Sequence, residues 1–338
     1  MKKTSFFIAA ALAFASCGGN HQNANDPLAE SGRTQRTENL LTNLIALGDS
    51  SVYLFGHHDD TVYGDGWETD YANDSTVGIK SDVKGICNDL PAVLSFDLGY
   101  IESGDDKNLN GIPFDRIRKE AINHFDQGGL VTLSWHPDNQ DVDKVADFLN
   151  TLETPYGVRV PVVLRLQDAT KDEWKKTVKR LKEKGVVNAL YAYSSNDNGN
   201  YMEHYPGDDI IDLLGLDLYC DAPEGDTTQV AAYAEALDKQ LTTICGIAKE
   251  HGKAMALTET GYEGIKTTDW WTNVLAPVLA KHPICYVLIW RNNHENPSQY
   301  YAPYPGHPST NDFVRFYNDP RTLFLHDVNG LYLKTDNN

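Results

Sequence analysis

The sequence predicts an α/β fold, a single-domain (β/α)8 barrel of the TIM type that occupies residues 35–338. Eight short apolar segments have the character of buried strands, and helical patterns lie between many of them. The chain of 338 residues is long enough for eight such strand–helix units. Several strand segments also end in polar or aromatic side chains, at the position where barrel enzymes carry their chemistry.

The predicted strands are short runs of nearly continuous apolar residues. Such runs are typical of parallel strands that are buried on both faces. Neither a G-x-G-x-x-G motif nor a P-loop follows the first of them, which weakens a nucleotide-binding, doubly wound alternative. The eight segments are residues 52–60, 92–97, 130–137, 160–165, 189–194, 211–219, 254–261 and 284–292.

Helices are predicted where apolar residues recur at helical spacing. In residues 37–47, Leu40, Leu41, Leu44 and Ile45 follow this spacing, and Gly48 is predicted to end the helix. The other clear patterns cover residues 115–125, 171–184, 230–250 and 269–281. Their alternation with the strand segments predicts a parallel sheet with helical crossovers.

The composition excludes some classes of partner. The net charge of −19 and the isoelectric point near 4.9 argue against nucleic-acid binding, because phosphates call for a basic surface. The chain has 6 Trp and 18 Tyr, whose flat amphipathic rings suit sugar surfaces. We expect a monomer that binds no nucleic acid.

The N-terminal residues have the pattern of an export signal. Lys2 and Lys3 precede an apolar stretch at residues 6–14, and Ala15-Ser16-Cys17-Gly18 resembles a bacterial lipobox. The resemblance implies cleavage before Cys17 and lipidation of its sulfur, with residues 1–17 as signal peptide and residues 18–34 as a flexible tether. We therefore expect an exported lipoprotein anchored to a membrane, either periplasmic or at the cell surface; an ordinary secretory signal is the alternative.

The remaining cysteines, Cys87, Cys220, Cys245 and Cys285, show no CxxC or His-spaced pattern. A zinc site is therefore not predicted. An exported protein can form disulfides, and the sequence leaves the pairing of these four open. We expect no cofactor and no metal ion.

Polar residues close most of the predicted strands, and Glu259 is the most informative of them. It ends the seventh strand in the segment Leu257-Thr258-Glu259-Thr260-Gly261. A structural role explains any single residue of this kind as easily as a functional one, but so many strand ends predict a common polar mouth. The other strand-end residues are His57, Asp59, Asp97, His136, Arg165, Asp217, Tyr219, Trp290 and Arg291.

From about Gly56 to Phe316, the chain resembles the glycoside hydrolase family 26 β-mannanases. The resemblance rests on several motifs together, since each alone is weak. The motifs are Phe55-Gly56-His57-His58-Asp59-Asp60 with Gly66-Trp67, Ser134-Trp135-His136, Tyr205-Pro206-Gly207-Asp208, Gly215-Leu216-Asp217-Leu218-Tyr219, Leu257-Thr258-Glu259-Thr260-Gly261, Trp290-Arg291-Asn292 and the stretch Tyr301-Ala302-Pro303-Tyr304-Pro305-Gly306-His307.

The resemblance implies a retaining, endo-acting hydrolase of β-1,4-linked mannan, glucomannan or galactomannan. A retaining enzyme needs a nucleophile and an acid/base carboxyl about 5–5.5 Å apart. By resemblance, Glu259 is the nucleophile, Tyr219 orients it, and Trp290 forms an apolar floor under the sugar. His136, Asp217, Arg165 and Arg291 line or support the same subsite, with His57 and Trp67 nearby.

The chain departs from the family after the fourth strand. The family carries its acid/base in a motif of the form Arg-Pro-x-His-Glu, followed by a Trp-rich loop. Here Arg165 is in place, but the His position falls on Asp168 and the Glu position on Ala169, and the chain runs directly into a helix beginning near Thr170. A short segment is missing, and its loss predicts impaired turnover, because a general acid contributes roughly 100- to 10,000-fold.

Asp168 is the nearest carboxylate to the missing acid, one residue early and one methylene short. We retain it as a candidate acid/base, although the pattern favours a cap for the helix that follows. Two alternatives to a mannanase remain. One is a mannan-binding barrel without catalysis, and the other is a family 26 xylanase or mixed-linkage β-glucanase.

Overall fold

The computed structural model describes residues 26–137, 141–195 and 200–334. Eight parallel strands form a closed barrel, which confirms the predicted fold class. Each strand pairs with the strands before and after it in sequence, and the first pairs with the last to close the ring. The strands are β1 Tyr53–His58, β2 Val93–Asp97, β3 Leu130–Trp135, β4 Val162–Leu166, β5 Ala189–Ser195, β6 Leu213–Cys220, β7 Ala254–Tyr262 and β8 Tyr286–Ile289.

Helices surround the barrel and connect most of its strands. All predicted strands are present, as are four of the five predicted helices. Residues 200–212, which precede β6, form turns rather than a helix. The helices are α1 Gln35–Asp49, α2 Asp82–Cys87, α3 Phe114–Asp126, α4 Val142–Thr151, α5 Lys171–Glu183, α6 Thr227–His251, α7 Ala276–Leu279 and α8 Thr310–Tyr317.

The barrel strands are buried on both faces, as their continuous apolar runs predict. All nine residues of β7 are buried. On the outer side of the barrel, the Phe55 ring of β1 stacks on Phe324 at 4.7 Å and meets Trp271 and Phe313 edge-on. This aromatic layer packs β1 against the helices of the C-terminal part of the chain.

Helix α1 extends past the residue predicted to end it. The Thr34 side chain caps its first turn, and Leu40, Leu44 and Leu47 form its buried face. Gly48 lies within the helix, so the prediction that it ends the helix is wrong. Its role is close packing, because a Cβ at this position would lie 3.0 Å from the carbonyl oxygen of Pro283.

The predicted helix of residues 269–281 is only partly α-helical. A π-helical turn, Trp271–Leu275, precedes the short helix α7. Pro277, near the start of α7, has no N–H to donate to the preceding turn, which favours an irregular segment here.

Several short elements were not predicted from the sequence. They include α2, α4 and α8, a two-stranded hairpin and a short edge strand beside β1. The hairpin consists of Tyr63–Gly64 and Trp67–Glu68, and the edge strand is Thr322–Leu323.

The structure describes the last part of the predicted tether, residues 26–34. Residues 26–34 pack on the barrel domain, because Arg33 forms a two-pronged ion pair with Asp212 at 2.7–2.8 Å and Leu28 bridges to Thr34. The predicted signal peptide, the lipobox with Cys17 and the rest of the tether lie outside the described residues.

Of the predicted cysteines, Cys220, Cys245 and Cys285 are buried free thiols. Among the helices of the described residues, none has both the length and the apolar character needed to cross a membrane.

Candidate active site

A cleft of about 650 Å³ opens where the carboxyl ends of β4, β5, β6 and β7 converge. Of the predicted site residues, His136, Asp168, Asp217, Tyr219 and Glu259 line it. The rest of its wall comes from Leu166, Gln167, Ala169, Thr170, Trp174, Tyr193, Ser194, Ser195 and His204. These five predicted residues therefore share one polar cleft, which lies beside the carboxyl end of β4.

Glu259 lies in this cleft with both carboxylate oxygens engaged. The Tyr219 hydroxyl donates a hydrogen bond to Oε2 at 2.9 Å, and the Gln167 amide donates to Oε1 at 3.0 Å. The Arg165 guanidinium also pairs with Oε1. With its side chain only 10% exposed, Glu259 has a fixed orientation.

Arg165 joins Glu259 to a second carboxylate. Its other terminal nitrogen pairs with Asp217 Oδ2 and also donates to the Ser194 hydroxyl at 3.3 Å. The Thr258 hydroxyl donates to the opposite oxygen of Asp217 at 2.7 Å. One guanidinium thus holds two carboxylates that would otherwise repel each other.

The electrostatics of this group follow from its burial. Burial raises the pKa of the Glu259 carboxyl, and the Arg165 guanidinium opposes that rise. Although burial disfavours a charged guanidinium, Asp217 and Glu259 raise the pKa of Arg165 and keep it protonated. Burial and the negative charge of Glu259 raise the pKa of Tyr219, so its hydroxyl stays a hydrogen-bond donor.

A β-bulge in β7 sets the register of Glu259. Leu257 pairs with Leu216, but the next pair is Glu259 with Asp217, so Thr258 is an extra residue in β7. The pairing of β7 with β8 shifts over the same stretch. Bulges of this kind re-aim side chains next to active sites, and this one places Glu259 opposite Asp217.

The connection from β4 to α5 is only four residues long: Gln167, Asp168, Ala169 and the N-cap Thr170. Asp168 has a left-handed backbone with φ of 54°, a conformation that Asp tolerates better than most residues. Its side chain is 81% exposed, with Oδ2 3.6 Å from Nδ1 of His136. Ala169 is 7% exposed and presents only a methyl group to the cleft.

The interpretation of Asp168 as a helix cap is wrong. Thr170 is the N-cap of α5, and its hydroxyl accepts a hydrogen bond from the Glu173 amide. The Glu173 carboxylate accepts from the Thr170 amide at 2.8 Å, which completes a capping box. Asp168 is therefore left at the rim of the cleft.

Trp290 is half-buried and stacks on a histidine that the sequence did not single out for a role. Its ring lies 4.4 Å from the His58 ring with 19° between the planes. His58 Nδ1 lies 3.0 Å from the Ser95 hydroxyl, and burial lowers the pKa of His58 well below its ordinary value. The neutral imidazole of His58 thus packs against one face of the Trp290 indole.

Three other predicted site residues lie outside the cleft wall. His57 is buried and pairs with Asp60 at 2.8 Å. The Arg291 guanidinium donates to the Tyr63 hydroxyl at 3.0 Å. Trp67 lies on the hairpin and donates from Nε1 to Asp82 at 2.7 Å.

Asp82 links the hairpin to the end of β8. It also accepts a hydrogen bond from the Asn292 side chain at 2.8 Å. The side-chain oxygen of Asn292 in turn accepts hydrogen bonds from the backbone N–H groups of Tyr301 and Ala302. The two segments that flank Trp67 and Trp290 therefore share one buried carboxylate.

Gln167 is the functional contact that sequence reasoning missed. A signal for it was present, because Arg165 and Gln167 are two residues apart at the end of an extended strand and so face the same side. The backbone N–H of Gln167 donates a hydrogen bond to the backbone carbonyl of Trp135, so the pairing of β4 with β3 continues to Gln167.

One group of potential metal ligands comes together in the described residues, away from the cleft. Ligand atoms of Asp89, His326 and Asp327 lie within 4.8 Å of one another. Asp89 already accepts hydrogen bonds from the His326 amide at 3.2 Å and the Tyr317 hydroxyl at 3.3 Å.

Comparison with known proteins agrees with this architecture. The family model of glycosyl hydrolase family 26 matches residues 139–299. The solved GH26 β-mannanase BoMan26A from Bacteroides ovatus is 40% identical, with a TM-score of 0.79 over 89% of this chain and 98% of that one. The chain belongs to glycoside hydrolase family 26.

More distant relatives cover the chain as fully. A solved endo-β-1,4-mannanase double mutant from Cellulomonas fimi is 27% identical with a TM-score of 0.74, over 92% of this chain and 80% of that one. A mannan endo-1,4-β-mannosidase from Bifidobacterium adolescentis is 24% identical over 96% of this chain. This chain spans only 38% of the length of that relative.

Proposed function

We propose that this chain acts on β-1,4-linked mannan by the retaining route, with Glu259 as the nucleophile, and that the loss of the acid/base segment limits its turnover. The observation that carries the proposal is the set of contacts on Glu259 from Tyr219, Gln167 and Arg165. Membership in family 26 and the mannanase names of the relatives support the choice of substrate.

In this mechanism, a carboxylate oxygen of Glu259 attacks the anomeric carbon and forms a glycosyl ester. Arg165 favours the ionised form of the carboxyl, which is the form that attacks. Tyr219 fixes the direction of the attacking group, since its hydroxyl is bonded to Oε2 at 2.9 Å. Trp290, held by His58, would lie against the apolar face of the sugar.

The second half of the chemistry lacks a dedicated group. The leaving oxygen needs a proton, and the water that hydrolyses the ester needs a base. The position that matches the family's acid/base is Ala169, which has no ionisable group. Asp168 lies at the rim with an 81% exposed side chain, a poor position from which to meet a glycosidic oxygen.

A second candidate function is mannan binding without cleavage. The methyl group of Ala169 in the cleft wall favours it, because the groups that would hold a sugar remain while the proton donor is absent. The two candidates share the cleft and differ only in whether a glycosidic bond breaks.

Reducing-sugar release from β-mannan, with xylan and mixed-linkage β-glucan alongside, tests the proposal. The full chain is compared with Glu259→Gln and with Glu250→Gln, whose carboxylate is exposed on α6. We expect slow release from mannan that only Glu259→Gln abolishes. No release, combined with retardation of the chain in a mannan affinity gel, would replace the hydrolase by the binding protein.

We also propose that the protein is exported and anchored through Cys17, and that it is a monomer. The basic residues Lys2 and Lys3, the apolar stretch at residues 6–14 and the lipobox-like Ala15-Ser16-Cys17-Gly18 support the anchor. Metabolic labelling with a fatty acid is expected to mark the wild-type chain and not Cys17→Ser, and equal labelling would contradict the proposal.

A further inference from the structure

The cleft has its free space where the missing carboxyl would stand. The β4 side of its wall includes Gln167, Asp168 and Ala169, and Thr170 follows them as the N-cap of α5. Ala169 contributes a methyl group and Asp168 points to solvent. A space of about 650 Å³ that is open to solvent thus borders the nucleophile, and Ala169, at the position expected for the acid, has no ionisable group.

The nucleophile itself is fully supported. Glu259 has the Tyr219 hydroxyl on one oxygen and the Gln167 amide on the other, and Arg165 offsets its charge. The two half-reactions of a retaining enzyme are therefore affected differently by what the chain lacks. Attack by Glu259 needs no proton, whereas departure of a sugar hydroxyl and activation of water both need one to be moved.

These two features define which reaction the site can complete. A leaving group that is stable as an anion, such as a phenolate or fluoride, departs without protonation. An acceptor that is already an anion attacks without a base. The wall also offers groups that can donate hydrogen bonds to a small anion, from Gln167, His136 and His204.

Building on the proposed function, we propose that this chain is a transglycosidase, which transfers β-mannosyl units from donors with anionic leaving groups to small anionic acceptors that enter the cleft. In the first step, the bond from Glu259 to the anomeric carbon forms as the bond to the leaving group breaks, and the leaving group departs with the electron pair. In the second step, the acceptor anion bonds to the anomeric carbon and the ester electrons return to Glu259. Neither step moves a proton or changes an oxidation state.

The test uses the full chain, a dinitrophenyl β-mannobioside as donor and sodium azide as acceptor. Without azide, we expect a burst of about one equivalent of dinitrophenolate followed by slow turnover, because the glycosyl ester accumulates. With azide, we expect steady turnover to rise at least about tenfold, with a β-configured mannobiosyl azide as product. The retained configuration reports two successive displacements.

Two variants separate the possible failures. Glu259→Gln is expected to lose both the burst and the azide product, while Ala169→Glu is expected to release dinitrophenolate at a faster steady rate with little dependence on azide. A burst with no response to azide would overturn the transfer reaction and leave the proposed nucleophile standing. An azide product of α configuration, or one formed equally by Glu259→Gln, would overturn transfer through Glu259. No burst in the wild type would overturn the nucleophile and the transfer reaction together.

Discussion

Replacing Ala169 by glutamate is the perturbation that most directly probes the missing acid. The proposed function places the missing acid/base at Ala169, which lines the cleft that holds Glu259 and is 7% exposed. A glutamate side chain at this position can extend into the open space of about 650 Å³, so it need not displace the packed core.

The expected gain follows from two opposing effects. A well-placed general acid contributes roughly 100- to 10,000-fold, and an error of about 1 Å in placement costs roughly 100-fold. The turn from β4 to α5 lacks the family's longer segment, so a placement error of that order is expected. We therefore expect Ala169→Glu to increase hydrolysis of β-mannan by about 10- to 100-fold.

The assay compares mannan with a donor that needs no acid. Reducing-sugar release from mannan should rise in Ala169→Glu, whereas the rate of the glycosylation step with the dinitrophenyl donor should hardly change, since that leaving group requires no proton. Ala169→Gln is the matched control, because it has the same size without an ionisable group. The pH–rate profile of Ala169→Glu should also gain a limb from the new carboxyl.

Two results would refute this reasoning. An equal gain in Ala169→Gln would mean that bulk, and not proton transfer, limits the wild type. No gain in a folded Ala169→Glu, combined with loss of wild-type turnover in Asp168→Asn, would mean that Asp168 already supplies the proton. Asparagine suits this comparison because it tolerates the left-handed backbone found at Asp168.

Three further predictions concern stability and positioning. Arg165→Met leaves the carboxylates of Asp217 and Glu259 without their cation, so the free energy of unfolding in urea at pH 7 should fall by about 3–5 kcal/mol. The decrease should be smaller at pH 5, and a decrease under about 1 kcal/mol at pH 7 would contradict the ion-pair account. In Gly261→Ala, the new Cβ would lie 2.5 Å from the ring of Tyr301, which packs edge-on against Tyr219, so displacement of that ring should lower mannan affinity. Gly246→Ala, with open space around it, should bind mannan as the wild type does, and equal affinity in both variants would contradict the steric argument. Burial raises the pKa of Asp59 to about 7, so the folded state favours the protonated carboxyl. The free energy of unfolding of the wild type should therefore fall between about pH 4 and pH 7, relative to that of Asp59→Asn. Parallel plots of unfolding free energy against pH for the two proteins would exclude that titration.

The barrel itself was predictable from local pattern. Apolar runs such as β7 and amphipathic segments such as α5 carry their structure in the order of their residues, because burial on two faces or on one leaves a distinct periodicity. Short elements such as α2 and the hairpin were not predictable in this way, since their few residues give no periodicity and tertiary packing determines them. Helix α4 was missed although its buried residues Val145, Ala146, Phe148 and Leu149 follow helical spacing.

The candidate site was also predictable only in part. The sequence alone determined that Glu259, Tyr219 and Asp217 end neighbouring strands, and that Ala169 stands where an acid is expected. It did not determine that Thr258 forms a bulge, because a bulge is a relation between paired strands. That relation places Glu259 opposite Asp217.

Contacts across the barrel were decided only by the closed structure. Arg165 reaches both Asp217 and Glu259 because parallel strands of a barrel converge, and sequence separation says nothing about which side chains meet there. The support of Trp290 by His58, from strands at opposite ends of the sequence, has the same origin. The sequence determined which chemical groups stand at the strand ends, and only barrel closure decided which of them touch.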